Sequence, residues 1–254
     1  MARVRVLLAG ESWISASFHL KGFDHFSTAD YQTGIAILQK ALSDSEVDLV
    51  HMPGHLVPTE FPLSRKALSA FDVVALSDIG GNSLLLHPDT CVRGQRTPNR
   101  LALIADWVES GGGFLMIGGY LSFQGINGTA RYHRTAIERI LPVEMLPFDD
   151  RVEVPEGFNP VLCARTHPVL AGLAEDWPYL LGFNKTRAKQ TGTVLVRTGK
   201  DDSAPPLLAV GQAGAGRTMA WTSDIGPHWL PEAFSTWPGY ALWRQACLWL
   251  ASRY

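Results

Sequence analysis

The chain predicts an α/β fold, with a mostly parallel central sheet carrying helices on both faces. Three observations lead there. Apolar runs alternate with helix-like stretches along much of the sequence, the pattern of repeated strand–helix units. Apolar residues make up 46% of the 254 positions and charged residues 18%, enough for a substantial core. Each predicted strand also runs into glycine and a polar group, as strands do where an open sheet forms its crevice.

The elements follow in order. Val4–Ala9 reads as the first buried strand. Tyr31, Ile35, Leu38 and Leu42 fall on one face at helical spacing and predict a helix over Thr28–Leu42. Asp48–Met52 and Phe71–Ser77 are the second and third strands. Pro98 suits the first turn of a helix that turns Leu101, Ile104, Ala105 and Val108 inward. Gly111-Gly112-Gly113 stops it, and a fourth strand through Phe114–Ile117 enters the turn Gly118-Gly119-Tyr120. His133–Ile140 predicts a shorter helix. Pro142, Pro147, Pro155, Pro160 and Pro168 then cut the chain into short extended pieces. Residues 142–189 are thus expected to be an elaboration on one domain spanning 1–254. Thr193–Thr198 and Pro206–Thr222 read as strands, the second folded into a hairpin at Gly211–Gly216. Tyr240–Ser252 closes the chain as a helix with Leu242, Ala246, Trp249 and Leu250 inside.

Composition excludes several classes of function. Net charge is −2 and no Lys/Arg run appears, so no nucleic-acid partner is expected. Residues 1–10 are too short an apolar stretch for a signal sequence. No run approaches the roughly 18 apolar residues of a membrane span. A cytoplasmic protein with no membrane partner is expected. Cys91, Cys163 and Cys247 are odd in number and lack CxxC spacing, so neither disulfides nor zinc are implied. No HxH, HExxH or DxD spacing supports a metal, and no cofactor is expected.

Ligands of open parallel sheets bind beyond the carboxyl ends of the strands. Gly10-Glu11-Ser12-Trp13 follows the first strand, Pro53-Gly54-His55 the second, and Asp78-Ile79-Gly80-Gly81-Asn82 the third. Gly118-Gly119-Tyr120-Leu121-Ser122 follows the fourth, and Ser223-Asp224-Ile225-Gly226-Pro227-His228-Trp229 the last. One polar cleft is therefore expected. His55, Asp78, Tyr120, Asp224 and His228 are its catalytic candidates. Glu11, Ser12, Trp13, Asn82, Ser122, Gln124 and Trp229 are its ligand-binding candidates. Each has an ordinary alternative: Asp78 and Asp224 as turn caps, Glu11 as a partner of Lys21, the histidines and tryptophans as surface or packing residues.

A strand entering a sharp turn and then further structure is how acyl-transfer enzymes present a nucleophile. The frame Gly118-x-Tyr120-x-Ser122 puts Tyr120 at that apex, with Ser122 two residues past it. The stretches Gly10–Trp13, Lys21-Gly22-Phe23-Asp24, Asp78–Leu86, Gly118–Gly125, Asp149-Asp150-Arg151 and Ser223–Trp229 resemble the class I glutamine amidotransferase-like family of bacterial cytoplasmic proteins. The resemblance covers nearly the whole chain. It implies a flavodoxin-like three-layer αβα sandwich, related to trehalose-utilisation-type proteins and to the trimerisation domain of some β-galactosidases. It also implies an elbow cysteine paired with a histidine and a glutamate after a late strand. Here Tyr120 replaces the thiol, and Thr222-Ser223-Asp224 stands where His-Pro-Glu is expected, with His228 and Glu232 out of frame.

Three functional readings remain open. The first is a cleft that has lost glutaminase chemistry and binds a small polar, sugar-derived ligand. The second is a hydrolase or isomerase using a His/Asp pair, with backbone amides around Gly119–Ser122 as an oxyanion site. The third is a homo-oligomerisation module, using Pro142–Pro178 and the aromatics Trp229, Phe234, Trp237, Tyr240 and Trp243 as its interface.

Overall fold

The computed structural model describes residues 3–231, 233–234 and 241–253. Its strands are β1 (Val4–Gly10), β2 (Ser12–Lys21), β3 (Asp24–Thr33), β4 (Val47–Met52), β5 (Val73–Ser77), β6 (Gly113–Ile117) and β7 (Val143–Met145). They continue with β8 (Arg151–Phe158), β9 (Val161–Leu162), β10 (Leu180–Asn184), β11 (Thr186–Ala188), β12 (Thr193–Arg197), β13 (Pro206–Ala213) and β14 (Gly216–Trp221). Eight of them form one sheet in the order β4-β1-β5-β6-β14-β13-β12-β9. The pairs from β4 through to β14 are parallel. The β14-β13, β13-β12 and β12-β9 pairs are antiparallel.

Alternation along β1 shows why the sheet is buried on both sides. Val4, Val6 and Leu8 enter one apolar cluster, Leu7 and Ala9 the other. Helices Ala36–Leu42 and Ala241–Leu250 pack in the first cluster through Leu38, Leu42, Leu242, Trp243 and Leu250. Helices Arg100–Glu109 and Ala136–Ile140 pack in the second through Leu101, Ile104, Val108 and Ile137. The mixed α/β class with a mostly parallel sheet is thus as expected.

Arg100 is fully buried and has no carboxylate partner among the described residues. Its guanidinium donates instead to the carbonyls of Leu84, Val57, Pro58 and Ser83. It thereby ties helix Gly81–Leu85, which follows β5, to the segment after β4.

Several expected boundaries shift. The helix predicted from Thr28 begins only at Ala36, because Ser12–Thr33 folds as a hairpin. Ile14, Ala16, Phe18 and Leu20 alternate with Ser15, Ser17, His19 and Lys21, a period of two that outweighs the helical spacing of Tyr31. Gly22 turns the ribbon with a positive φ of 65°. Pro98 precedes the helix instead of sitting in its first turn; Asn99 caps it, its Oδ1 accepting the amides of Leu101 and Ala102. The helix expected from His133 starts at Ala136. The proline-rich stretch forms two small antiparallel pairs, β10-β8 and β11-β7. Glu232, Trp237 and Tyr240 lie outside the described residues.

Candidate functional site

Because β1, β5, β6 and β14 are mutually parallel neighbours, the segments after them meet at one end of the sheet. The chain leaves β1 and β5 through two non-glycine residues at positive φ, Glu11 (50°) and Asp78 (43°). Such conformations cost about 1–3 kcal/mol each and persist only where surroundings hold them. Here the hold is visible. The Glu11 amide donates to Ser77 O at 2.8 Å, and Ser77 Oγ donates to Glu11 Oε2 at 2.6 Å. Gly34 makes room for the carboxyl: a Cβ there would lie 2.1 Å from Oε1.

Asp224 comes in from β14. Its Oδ1 accepts the amides of Ile225 and Gly226 at 2.7 and 2.9 Å. Its Oδ2 lies 3.5 Å from His228 Nδ1. Glu11 and Asp224 are both buried, whereas His228 reaches solvent. Burial pushes the Glu11 carboxyl well above the usual range, and the nearby Asp224 adds to this. Burial also raises Asp78, again with a contribution from Asp224. The Asp224 carboxylate, through its contact with the ring and its charge, raises His228 above its ordinary value.

The elbow is built around Asp78 and Asn184. Gly119, at φ 145°, packs on Asp78, whose Oδ1 a Cβ would approach to 2.9 Å. Asp78 Oδ1 accepts the Leu121 amide at 2.6 Å, and the Asp78 amide donates to Ser122 Oγ at 3.0 Å. Asn184 Oδ1 accepts the Gly119 amide, while Asn184 Nδ2 donates to Gly119 O and to Asp150 Oδ1. Asp150 in turn accepts the amides of Gln124 and Gly125. This corrects the oxyanion expectation: the amides of Gly119 and Leu121 are already bonded within the protein, and that of Ser122 lies 3.4 Å from Gly119 O. Ser122 is buried, and its Oγ accepts the Asp78 amide.

Aromatic rings form the wall. Tyr120 stacks on His228 (centroids 5.2 Å apart, 21° between planes) and meets the edge of Trp229 at 5.8 Å. The Arg151 guanidinium covers the Tyr120 ring at 5.1 Å. Burial, with Glu153 nearby, raises the Tyr120 phenol. Trp229 is buried and donates Nε1–H to Glu153 Oε2 at 2.9 Å, so it braces the wall. Trp13 lies 5.7 Å from His228, its indole N–H held by Gln32 Oε1.

Glu11, Trp13, Asp78, Tyr120, Asp224 and His228 therefore come together. Others do not join them. His55 is exposed at the hairpin root, 5.2 Å from the Tyr31 ring, where Ser12 Oγ accepts the Gly54 amide. Asn82 is exposed on helix Gly81–Leu85. Gln124 bonds Gly128 O and the His133 amide, bracing its own loop. Ser77, Glu153 and Asn184 belong to the cluster and escaped sequence reasoning, and Asp150 and Arg151 join it although the sequence marked them only as part of a family-like stretch. A polar residue closing the apolar run Leu180-Leu181-Gly182-Phe183-Asn184 was the signal for Asn184.

Among the described residues no three His, Cys, Asp or Glu side chains are arranged to hold a metal ion. No thiol reaches the elbow: Cys91 and Cys163 are exposed in other segments, and Cys247 is buried in the last helix with its thiol pushed up to about 12. A surface groove of about 1060 Å³ lies away from the cluster, lined by residues including Arg134, Glu138, Phe148 and Lys189. Its size does not make it the chemical centre, because the perturbed carboxyls and the strand ends lie elsewhere.

A mostly parallel sheet with a glycine elbow and a carboxyl–histidine cluster at its strand ends is the arrangement of an amidotransferase-like protein, here with tyrosine at the apex. The chain belongs to the family described as "Putative glutamine amidotransferase", matching it over residues 5–252. It is similar to a cytoplasmic protein of Salmonella typhimurium, with 39% identity and a TM-score of 0.90 over 96% of this chain and 98% of that one. A second cytoplasmic protein, from Salmonella typhimurium LT2, shares 40% identity and a TM-score of 0.91 over 97% and 99%. A ThuA-like protein from Parabacteroides merdae shares only the fold, at 13% identity and a TM-score of 0.56 over 98% and 90%. No curated protein matches the chain.

Proposed function

We propose that this chain binds a small polar, sugar-like ligand in the cleft at the strand ends and does not hydrolyse glutamine. The observation carrying this is the convergence of Glu11, Asp78, Tyr120, Asp224 and His228 after four parallel strands. His228, Tyr120, Trp13 and the partly buried Asp78 offer a ring face and polar groups to a hydroxylated ligand, with Glu11 and Asp224 behind them. The phenol of Tyr120 is no substitute for a thiolate that must carry an acyl group.

The packing of helices in two clusters supports a flavodoxin-like three-layer sandwich on one domain, with residues 142–189 as its elaboration. Its cytoplasmic relatives support the same location for this chain. No described helix is long and apolar enough to cross a membrane.

Titration calorimetry against a panel of neutral sugars, sugar acids and primary amides tests the reading. Saturable binding that weakens at least tenfold in Asp78→Asn supports it. Binding left unchanged in both Asp78→Asn and Asp224→Asn sinks it.

A second reading rests on the Asp224–His228 pair. An aspartate-oriented imidazole open to solvent has the geometry of a general base or acid. Hydrolysis or isomerisation of the bound ligand would then follow a pH profile set by His228. A flat profile between about pH 5 and 8 removes this reading.

A further inference from the structure

The β2-β3 hairpin is the least economical part of the molecule. Its strands pair without a register shift from Ser12↔Thr33 to Lys21↔Asp24, a ribbon ten pairs long. From Ile14 onward every strand residue is exposed, so the ribbon stands free of the body. A lone two-stranded ribbon is at best marginally stable in water.

Its two faces differ. Residues directly opposite share a face, so one side carries Ile14 with Tyr31, Ala16 with Ala29, Phe18 with Ser27 and Leu20 with His25. The other carries Ser15 with Asp30, Ser17 with Thr28, and His19 stacked on Phe26. Along β2, from Ile14 to Lys21, apolar and polar residues alternate as in a strand with one buried face. Among the described residues nothing buries it: Ile14 is 65% exposed, Phe18 81% and Leu20 82%, with Phe23 exposed at the tip.

We infer that this face is covered by a second copy of the chain, which docks through the same hairpin face. The area argues for it. Ile14, Phe18, Leu20 and Tyr31 expose on the order of 550 Å² on this face, and Phe23 at the tip extends the apolar area toward the ~800 Å² each partner gives to a stable interface. Shape agrees as well. Small residues at Ala16, Ala29 and Ser27 lie between larger ones, so a copy related by a two-fold axis sets large side chains against small. Charge points away from other occupants. The hairpin holds one lysine and two aspartates, with no arginine, unlike an arm that binds anionic lipid or nucleic acid. Its edges also lack the prolines, bulges and distributed lysines that keep free strands apart. The inference stands independently of what the cleft binds.

Light scattering coupled to size exclusion on the full chain tests it, at about 1 to 50 μM because association follows mass action. The expected wild-type mass is at least twice 27.8 kDa. Phe18→Glu with Leu20→Glu should return it to 27.8 kDa with an unchanged circular-dichroism spectrum, since both residues lie outside the core. Ser17→Glu, on the opposite face, should leave the oligomer intact. A wild type that stays at 27.8 kDa overturns the inference, and so does an oligomer that survives the double substitution. Monomers that co-sediment with neutral phosphatidylcholine vesicles overturn it too, reassigning the face to lipid. Should the double variant misfold, wild-type hydrogen exchange decides. Amides of residues 12–33 should exchange more slowly at high concentration, and concentration-independent exchange refutes the docking.

Discussion

Asp224 holds His228 from four residues away, Oδ2 standing 3.5 Å from Nδ1 while two backbone amides fix Oδ1. The pair favours the imidazolium, so the His228 pKa lies above the ordinary value of 6.5. The stabilisation is full below about pH 6.5 and is lost as pH rises through the raised folded value. An imidazole titration followed by NMR should show that raised midpoint. Asp224→Asn keeps the Oδ1 acceptor and should move the midpoint down. A midpoint that ignores the substitution contradicts the pairing.

Glu11 gives a second pH signature. Its carboxyl is buried and raised, so the folded protein holds that proton more tightly than the unfolded chain. The associated stability is complete below about pH 4.5 and drains as pH rises toward the folded value, by up to about 1.4 kcal/mol per pH unit. Glu11→Gln retains an acceptor for Ser77 Oγ and cannot ionise. Its urea midpoint should therefore gain on wild type as pH increases from about 5 to 8. A constant difference across that range contradicts this account.

Asn184 spans the elbow, bonding both the amide and the carbonyl of Gly119 and also Asp150. Asn184→Ala orphans buried groups and should cost about 2–3 kcal/mol in denaturant unfolding. It should also weaken any cleft ligand more than Tyr120→Phe does, because Phe preserves the ring packed on His228. Equal effects of the two changes would show that the elbow does not shape the cleft.

Arg100→Met should be among the most damaging single changes outside the strand-end cluster. Four carbonyls lose their shared donor in a buried setting, for which about 3 kcal/mol or more is expected. A loss under about 1 kcal/mol would mean that water replaces the guanidinium.

The sheet was legible because its parallel strands are short apolar runs that lead into glycine-containing turns, and the local sequence alone sets that pattern. Glu11, Asp78, Tyr120, Asp224 and His228 were legible for the same reason: each follows a strand. The hairpin was not, since Tyr31, Ile35, Leu38 and Leu42 mimic a helical face across a strand–helix boundary. His55 follows a strand too, yet β4 is the sheet edge and its exit leads to the hairpin root. Asp150 and Asn184 reach the elbow only through tertiary folding of the proline-rich segment, which no local periodicity reports.

The Gly34 amide bonds Glu11 O at 3.2 Å, so the hairpin departs from and returns to the same point. Topologically it is a closed excursion within the crossover from β1 to β4, whose parallel register it leaves untouched. Related chains could therefore lengthen, shorten or discard this arm without re-threading the sheet. The arm is thus a separable unit, and its length can change while the residues at the strand ends stay in place.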